Sequence, residues 1–265
     1  MAKRDPDRRR AVITMVHNES VFLPIWLRYY SRFFAAEDIY VLDNDSTDGS
    51  TDRDGFVRIP VSHGRVDHTW MVRTIEAQQR ELLSSYDVVL VTDVDELITP
   101  TPEWGTLDEY IDRFDEDYVK CVGYEILHLI DREDPYDPRR PILDQRGYWF
   151  ANSAYDKPAL TSTPVTWEPG FHRLEDERYL DGSHWDPDLR LIHLHRMDFD
   201  ICRERHGVRR DRAWNALDVD QDWASYNRTT EEGKFERWFY EDSGFEREGI
   251  RIVLERIPES WRGLF

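Results

Sequence analysis

Two aspartates two residues apart are the most specific candidate for chemistry in this chain. Asp93 and Asp95 directly follow Asp87–Thr92, an apolar and largely β-branched run that is typical of a strand buried on both faces. Residues two apart in an extended chain point to the same side, so both carboxylates can bind one ion at a sheet edge. Oxygen ligands of this kind suit Mg²⁺ or Mn²⁺. A strand-end turn that binds no ion is the alternative.

A second polar loop, Asp43–Ser50, follows the predicted strand Ile39–Leu42. Its residues are almost all turn-forming, which favours an Asx-rich turn. A calcium loop is disfavoured, because a twelve-residue calcium loop needs glycine at its sixth position and this loop has Asp48 there. In the functional interpretation, Asp43 accepts hydrogen bonds from a nucleobase or a ribose.

Strands that alternate with helices would position both loops. The predicted order is strand, helix, strand, strand, helix, strand, over Ala11–Val16, Val21–Phe34, Ile39–Leu42, Phe56–Ile59, His68–Ser85 and Asp87–Thr92. This alternation predicts an α/β fold, with a mostly parallel central sheet and helices on both faces. Ligands of such sheets bind at the carboxyl ends of the strands, where both polar loops lie.

The pattern changes in the second half of the chain. Longer and irregular strand-like segments occur at Tyr118–Ile130, Asp156–Leu160 and Leu189–His195, and the last 65 residues have amphipathic helical spacing. We expect a loosely ordered start over 1–10 and one catalytic domain over 11–200, divided into 11–98 and 99–200. A helical extension over 201–265 is expected to pack on the same domain.

Composition excludes several classes of protein. Apolar residues make up 40% and aromatic residues 13% of the 265 residues, which argues against a disordered chain. The formal net charge of −19 disfavours nucleic acid as a partner. Two cysteines are too few for a disulfide framework and fit a cytoplasmic protein. The apolar run Ala11–Val16 is far too short to span a bilayer, although peripheral membrane association stays open.

Taken together, the two loops resemble the nucleotide-sugar-binding half of the family 2 type glycosyltransferases. Asn18-Glu19, Trp26, the Asp43–Gly49 loop and Val89–Glu96 carry this resemblance, which covers residues 11–98. It is strongest to the branch whose first helix reads Asn-Glu…Leu-Pro-x-Trp. The resemblance implies a GT-A fold, nucleotide-sugar contacts from Asn18, Glu19, Asp43, Asp45 and Asp93, and a DXD motif, Asp93-x-Asp95, that binds the diphosphate through Mn²⁺ or Mg²⁺.

The implied reaction transfers a sugar from a nucleotide-diphosphate donor, expected to be UDP-linked, to a hydroxyl of a carbohydrate or glycoconjugate acceptor. The metal would offset the charge of the diphosphate leaving group. By resemblance the anomeric centre is inverted, and a carboxylate or imidazole removes the proton of the acceptor hydroxyl. A role in polysaccharide biosynthesis is the expected setting, whereas the oligomeric state is not indicated.

The remaining candidate roles depend on residue type. Within the strand-like run Leu191–Arg196, His193 and His195 share one face, and enzymes of the GT-A class often complete the metal shell with a late histidine. His195 is therefore the first choice and His193 the second. Histidines that are hydrogen-bonded inside a sheet are the alternative.

Five further residues complete the predicted site. An aromatic and polar segment begins at Trp167 and suits an acceptor sugar, with Asp176 as the first candidate base and His172 as the second. Lys157 is a candidate phosphate contact, and Arg73 and Gln78, on the helix before Asp93, are candidate donor contacts. Structural capping or a surface ion pair is the alternative for Asp176 and His172. An exposed turn lysine is the alternative for Lys157, and a solvated helix face is the alternative for Arg73 and Gln78.

Two other enzyme classes and one non-enzyme class compete with this interpretation. Val91–Asp95 also resembles the nucleophile strand of haloacid-dehalogenase phosphatases, in which the first aspartate attacks phosphorus. That motif lies near the N-terminus in such enzymes and has Thr or Val where this chain has Leu97. A sugar nucleotidyltransferase would need a glycine- and arginine-rich loop after the first strand. A non-catalytic carbohydrate-binding protein on the same fold is the third alternative.

Overall fold

The computed structural model describes residues 5–176, 184–228, 231–240 and 253–265. Its elements in chain order are β1 (Arg10–Val16), α1 (Phe22–Tyr30), β2 (Ile39–Asn44), β3 (Val57–Val61), α2 (His68–Leu82), β4 (Val88–Val91), β5 (Glu96–Pro100), α3 (Leu107–Ile111), β6 (Tyr118–Ile126), α4 (Ile142–Gln145), β7 (Tyr148–Ala151), β8 (Lys157–Thr161), β9 (Trp185–His193), α5 (Phe199–Arg210), α6 (Ala216–Asp220), α7 (Glu232–Tyr240) and β10 (Glu255–Arg256). None of the described helices is long and apolar enough to cross a membrane.

The chain divides into two compact units. The first unit comprises Met1–His63, His68–Gly123 and Ala154–Ile192, and the second comprises Gly64–Asp67, Tyr124–Ser153 and His193–Phe265. The expected boundary after residue 200 therefore lies inside the second unit. Helix α5 spans this position, and α6 and α7 follow it; the expected division into domains stays a prediction.

A mixed sheet forms the centre of the first unit, with the strand order β3-β2-β1-β4-β8-β6. The four strands from β3 to β4 are parallel to one another, whereas β8 is antiparallel to β4 and β6. The predicted α/β class with a largely parallel sheet is thus confirmed. The antiparallel strands come from the part of the chain where the sequence pattern became irregular.

Both faces of this sheet are buried. Ala11, Ile13 and Val89 pack with Val72 and Ile75 of α2 in one apolar cluster. Val12, Val41 and Leu90, which alternate with the first set and so point to the opposite face, are at most 1% exposed. Apolar residues at both parities of β1 and β4 therefore fold as central strands.

The second unit has its own apolar core. Leu127, Phe150, Cys202, Phe235, Trp238 and Phe239 form it. Two antiparallel pairings, of β7 with β10 and with the end of β6, extend beside this core. Asp198 caps α5, because its side chain accepts hydrogen bonds from the amides of Asp200 and Ile201. The cap fixes where α5 begins and hence which of its residues face the core.

Candidate functional site

The carboxyl ends of the parallel strands meet at one edge of the first unit's sheet. The register pairs Val16 with Asp43, Asn44 with Val61, and Ile13 with Val91. Each strand is followed there by a polar segment: His17–Glu19 after β1, Asp45–Ser50 after β2 and Thr92–Asp95 after β4. The parallel topology thus brings the loops of both sequence motifs to the same edge.

Asp43, at the end of β2, makes its hydrogen bonds within the protein. One carboxylate oxygen accepts from the amide of Ser46 at 3.0 Å, and the other accepts from Thr51 Oγ1 at 2.9 Å and from Arg58 Nε at 2.8 Å. Burial by itself raises the pKa of Asp43, but the hydrogen bonds from Ser46, Thr51 and Arg58 outweigh burial and hold the pKa below 3.8. Asp43 therefore stabilises its own loop as a buried carboxylate.

Asn18 joins the loop after β1 to the loop after β2. Its side-chain oxygen accepts hydrogen bonds from the amides of Thr47, at 2.7 Å, and Asp48, at 3.3 Å. Its own amide donates to Ser46 Oγ at 3.1 Å. Asn18 has φ 56°, a left-handed conformation that asparagine tolerates better than most residues. This predicted donor-binding residue thus holds the neighbouring loop in place.

The other two predicted residues of these loops differ in exposure. Asp45, also left-handed at φ 57°, is exposed and accepts a hydrogen bond from Ser62 Oγ at 2.7 Å. Glu19 is buried, and its carbonyl accepts from the amide of Leu23 at the start of α1. Asp45 therefore belongs to the solvent-facing part of the edge, and Glu19 to the beginning of the helix.

Asp93 and Asp95 lie in a turn between β4 and β5. The amide of Glu96 donates to the carbonyl of Asp93 at 3.1 Å, which closes a four-residue turn. The backbone is therefore not extended at this step, contrary to the spacing argument, and the binding of one ion by both carboxylates stays a prediction. The side chain of Asp93 is 43% exposed, whereas Asp95 is only 4% exposed. Trp26 and Tyr30 of α1 donate hydrogen bonds to the two ends of this turn.

These α1 side chains make the holding contacts directly. Trp26 Nε1 donates to Thr92 Oγ1 at 2.8 Å, and Tyr30 OH donates to the carbonyl of Glu96 at 3.2 Å. The amide of Ile98 in turn donates to Tyr30 OH at 2.9 Å. Trp26, which carried part of the family resemblance, therefore fixes the strand end from which Asp93 projects.

Lys157 is the buried counter-ion of this turn. Its ammonium lies 3.0 Å from Asp93 Oδ2 and 2.5 Å from Glu96 Oε2, and Glu96 Oε2 also accepts from the amide of Asp93 at 2.8 Å. Burial lowers the pKa of Lys157, but the charges of Asp93 and Glu96 outweigh burial and raise the pKa above 10.5. Lys157 is thus a fully charged ammonium with two carboxylate partners.

The antiparallel register explains why Lys157 reaches Asp93. Leu90 pairs with Leu160 and Val89 with Thr161, so continuing the same register places Lys157 opposite Asp93. Lys157 is only 1% exposed, which rules out the exposed turn lysine considered as an alternative in the sequence analysis. The predicted contact between Lys157 and a phosphate stays a prediction. Lys157 would have to bind the phosphate while it is paired with Asp93 and Glu96.

Arg73 and Gln78 of α2 line one open cavity of about 380 Å³. Leu42 and Val61, near the ends of β2 and β3, contribute apolar surface to it. Arg73 donates to Glu76 at 2.8 Å and to Glu175 at 2.8 Å, so its guanidinium is oriented by two carboxylates. The structure therefore brings these two predicted donor contacts together, next to the sheet edge.

The aromatic segment that begins at Trp167 is partly a core element. Trp167 is fully buried; its amide donates to Glu76 Oε1 at 2.8 Å and its indole nitrogen donates to the carbonyl of Pro158 at 3.1 Å. His172 is half-buried, with its ring 6.3 Å from that of Tyr155. Asp176, also half-buried, is the last residue described before the gap at 177–183. Their roles as bases stay predictions.

The two candidate histidines lie in the second unit and have hydrogen-bond partners there. His193 Nδ1 is 2.8 Å from Glu125 Oε2, and His195 Nε2 is 2.8 Å from His206 Nε2. His193 ends β9, and His195 lies in the turn that follows, so the strand ends two residues earlier than predicted. The participation of either histidine in a Mn²⁺ or Mg²⁺ site stays a prediction.

Sequence reasoning missed Glu96 and Arg58. Glu96 directly follows the DXD motif, and the sequence pattern does not show that it is buried. In the structure its side chain is 1% exposed and is ion-paired with Lys157. Arg58 lies fifteen residues after Asp43 and is one of many arginines in the chain. A glutamate that is buried needs a cation beside it, and this requirement could have pointed to Lys157. For Arg58 there was no such signal, because only the pairing of β2 with β3 brings it to Asp43.

No protein-family model matches the chain, and no curated protein sequence does. Among solved structures it is similar to a mannosyltransferase, PcManGT from Pyrobaculum calidifontis, in complex with GDP-Man and Mn²⁺ (18% identity, TM-score 0.32, 48% of this chain and 38% of that chain). It is also similar to the galactosyltransferase LgtC with donor and acceptor sugar analogues (18% identity, TM-score 0.26, 57% of each chain). Both similarities span less than two thirds of those chains and assign neither activity nor ligands to this one.

Proposed function

We propose that the chain is a metal-dependent glycosyltransferase that transfers a sugar from a nucleotide-diphosphate donor to an acceptor hydroxyl. One observation carries the proposal. Asp93, a carboxylate that is 43% exposed, projects from the carboxyl edge at which the loops after β1, β2 and β4 converge. Ligands of parallel α/β sheets bind at this edge. The motif resemblance of residues 11–98 supports the same reaction.

Asp93 and Asp95 are the proposed ligands of Mn²⁺ or Mg²⁺. Carboxylate oxygens suit both ions, and the exposure of Asp93 allows an ion that keeps water or phosphate oxygens in its shell to approach. Lys157 holds Asp93 through Oδ2 only. When bound, the ion would supply Lewis-acid stabilisation of the diphosphate leaving group.

The donor-binding roles are proposed for residues of the same unit. Asn18 orders the loop from Ser46 to Asp48, so that this loop presents a fixed surface to the nucleotide. Arg73 and Gln78 line the adjacent cavity, which is large enough for part of a nucleotide sugar. Asp43 contributes mainly by holding the loop, and a UDP-linked donor is proposed because of the family resemblance.

Acceptor binding and proton removal are proposed for the segment from Trp167 to Asp176. A carboxylate at Asp176, or the imidazole of His172, would accept the proton of the acceptor hydroxyl during an inverting displacement. Both side chains are half-buried, so both can be reached from solvent. Replacement of each in turn decides between them, because only the true base sets the acidic limb of the pH-rate profile.

A ligand screen tests the proposal. Thermal unfolding is measured with UDP-, GDP-, CDP- and TDP-linked sugars, each with Mn²⁺ and with excess chelator, since a ligand of the folded state raises the melting temperature. We expect one donor class to stabilise the protein, to depend on Mn²⁺ and to be hydrolysed slowly. Asp93→Asn should remove the Mn²⁺ dependence, and Asp115→Asn, at an exposed residue of the same unit, is the matched control.

Each possible result decides something. Turnover that is undiminished in excess chelator would contradict the metal-dependent mechanism. A donor that binds with no hydrolysis or transfer would favour the non-catalytic carbohydrate-binding alternative. Release of phosphate from a phosphomonoester, abolished by Asp93→Asn, would favour the phosphatase alternative instead.

A further inference from the structure

Three metal-ligating side chains converge in the core of the second unit. Cys202 and His206 are four residues apart on α5 and therefore lie on the same face of that helix, one turn apart. His195 reaches them from the turn between β9 and α5, which a hydrogen bond from the amide of Met197 to the carbonyl of Leu194 closes. Cys202 and His206 are fully buried, and His195 is 3% exposed.

The ligand atoms of these three residues are close enough to share one ion. His195 Nε2 and His206 Nε2 are 2.8 Å apart, Cys202 Sγ is 3.8 Å from His206 Nε2, and all three atoms lie within 4.8 Å of one another. The two nitrogens and the sulfur are thus close enough together to bind one ion.

The distances can be compared with those of a tetrahedral site. With a metal–nitrogen bond of about 2.0 Å and a metal–sulfur bond of about 2.3 Å, two nitrogen ligands lie about 3.3 Å apart and a sulfur and a nitrogen about 3.6 Å apart. The sulfur–nitrogen distance already fits. The two imidazoles need to separate by about 0.5 Å, which replaces their hydrogen bond with two bonds to the ion.

We propose that His195, Cys202 and His206 bind one soft cation, Zn²⁺ or Cu⁺, within the second unit. Thiolate and imidazole ligands select such ions over Mg²⁺ and Mn²⁺, which prefer oxygen. The set therefore differs in chemistry from the proposed oxygen site at Asp93. His195, which the sequence suggested as a ligand of Mn²⁺, has surroundings that suit a softer ion. This proposal does not depend on the proposed function.

The surroundings of the cluster are apolar and aromatic. The His206 ring lies 4.7 Å from Trp238 and 5.2 Å from Phe235, and the His195 ring lies 5.6 Å from Trp238. Such a shell excludes water and fixes the orientation of the imidazoles. The guanidinium of Arg196 lies 4.2 Å from the Trp238 ring and so borders this aromatic shell.

Cobalt is the spectroscopic probe for the experiment. The full chain, purified with chelator, is titrated with Co²⁺, and the visible spectrum is recorded under anaerobic conditions. We expect one equivalent to bind, with a thiolate-to-cobalt charge-transfer band and intense ligand-field bands of a tetrahedral ion. Zn²⁺ should displace the Co²⁺ and abolish these bands. A parallel titration with Cu⁺, against a colorimetric Cu⁺ chelator, decides between the two ions.

Variants locate the site. Cys202→Ser should abolish the charge-transfer band and weaken metal binding at least about tenfold, and His206→Gln should weaken it similarly. Cys121→Ser is the matched control, since Cys121 is the other buried cysteine and lies in the first unit, where its thiol donates to the carbonyl of Lys157. If a variant fails to fold, the charge-transfer band of the unaltered chain still shows whether a thiolate binds the metal.

Two results would overturn the proposal. The first is the absence of a charge-transfer band at a Co²⁺ excess, together with no competition for Cu⁺; His195 and His206 would then be a hydrogen-bonded pair that binds no ion. The second is a band that survives in Cys202→Ser and disappears in Cys121→Ser.

Discussion

Asp43 and Asp93 occupy equivalent places in the first unit, at the ends of two parallel strands, yet their surroundings differ sharply. Asp43 is 3% exposed and its carboxylate accepts from a backbone amide, a hydroxyl and a guanidinium of the protein itself. The side chain of Asp93 is 43% exposed, and Lys157 donates a hydrogen bond to its Oδ2. Two aspartates at similar places in the sheet thus differ in exposure and in hydrogen-bond partners.

The difference shows how a carboxylate becomes available to a ligand. The oxygens of a buried carboxylate must accept hydrogen bonds from the protein, because water cannot reach them. The oxygens of Asp43 accept such bonds. Both Glu96 and Asp93 pair with Lys157, but Glu96 is the partner that is buried, and the side chain of Asp93 stays in contact with solvent. We therefore expect substitutions around Asp43 to change stability and substitutions of Asp93 to change activity.

The largest expected effect comes from removing the cation beneath Asp93. Lys157→Met leaves Glu96 buried without its counter-ion, and breaking a buried pair in this way costs about 3–5 kcal/mol of unfolding free energy. Urea denaturation measures the loss. The double variant Lys157→Met/Glu96→Gln should recover part of it, and Lys234→Met, at an exposed lysine, should change stability by less than about 1 kcal/mol. Equal losses in the single and double variants would show that Lys157 stabilises by packing alone.

Asp93→Asn is expected to reduce transfer about 100- to 1,000-fold, on the scale of losing one preorganised charge-stabilising contact. The melting temperature should change little, because the side chain is partly exposed and an amide keeps one oxygen for Lys157. Steady-state transfer rates with the donor found in the screen measure the effect. Asp115→Asn should retain full activity; comparable losses in both variants would remove Asp93 from the site.

Asp43→Asn should cost about 1–3 kcal/mol, because Arg58 and the Thr51 hydroxyl lose a charged acceptor. Affinity for the nucleoside diphosphate should fall more than the rate of transfer, since the loop from Ser46 to Asp48 loses its support. Denaturation and calorimetry provide the two measurements. Unchanged stability with lost affinity would mean that Asp43 contacts the nucleotide directly.

The smallest expected effect is the pH dependence of the stability that Asp43 contributes as a buried carboxylate. Because the folded-state pKa of Asp43 lies below 3.8, its contribution to stability is fully present above that value and is lost as the pH falls through the folded pKa. The stability difference between the unaltered chain and Asp43→Asn should therefore be constant from pH 7 to about pH 5 and shrink at lower pH. A difference that is independent of pH down to pH 2.5 would contradict a charged Asp43.

Much of the first unit could be predicted from local pattern. Strands with apolar residues at both parities, followed by turn-forming acidic loops, were sufficient to place Asp43 and Asp93 at one edge of a largely parallel sheet. The contact between Lys157 and Asp93 could not be predicted, because it depends on the register of an antiparallel pairing between residues 64 positions apart. The turn at Asp93–Glu96 likewise depends on contacts from α1.

The amino-acid sequence alone determined the strand and helix order, the apolar character of the sheet centre and the acidic loops at its edge, since each follows from the periodicity and turn chemistry of neighbouring residues. Only the tertiary structure decided which carboxylate is buried, which is partly exposed, and that His195 meets Cys202 and His206. The physical reason is that burial and charge pairing depend on residues distant in the chain, whose approach is set by packing and strand register and leaves no local pattern.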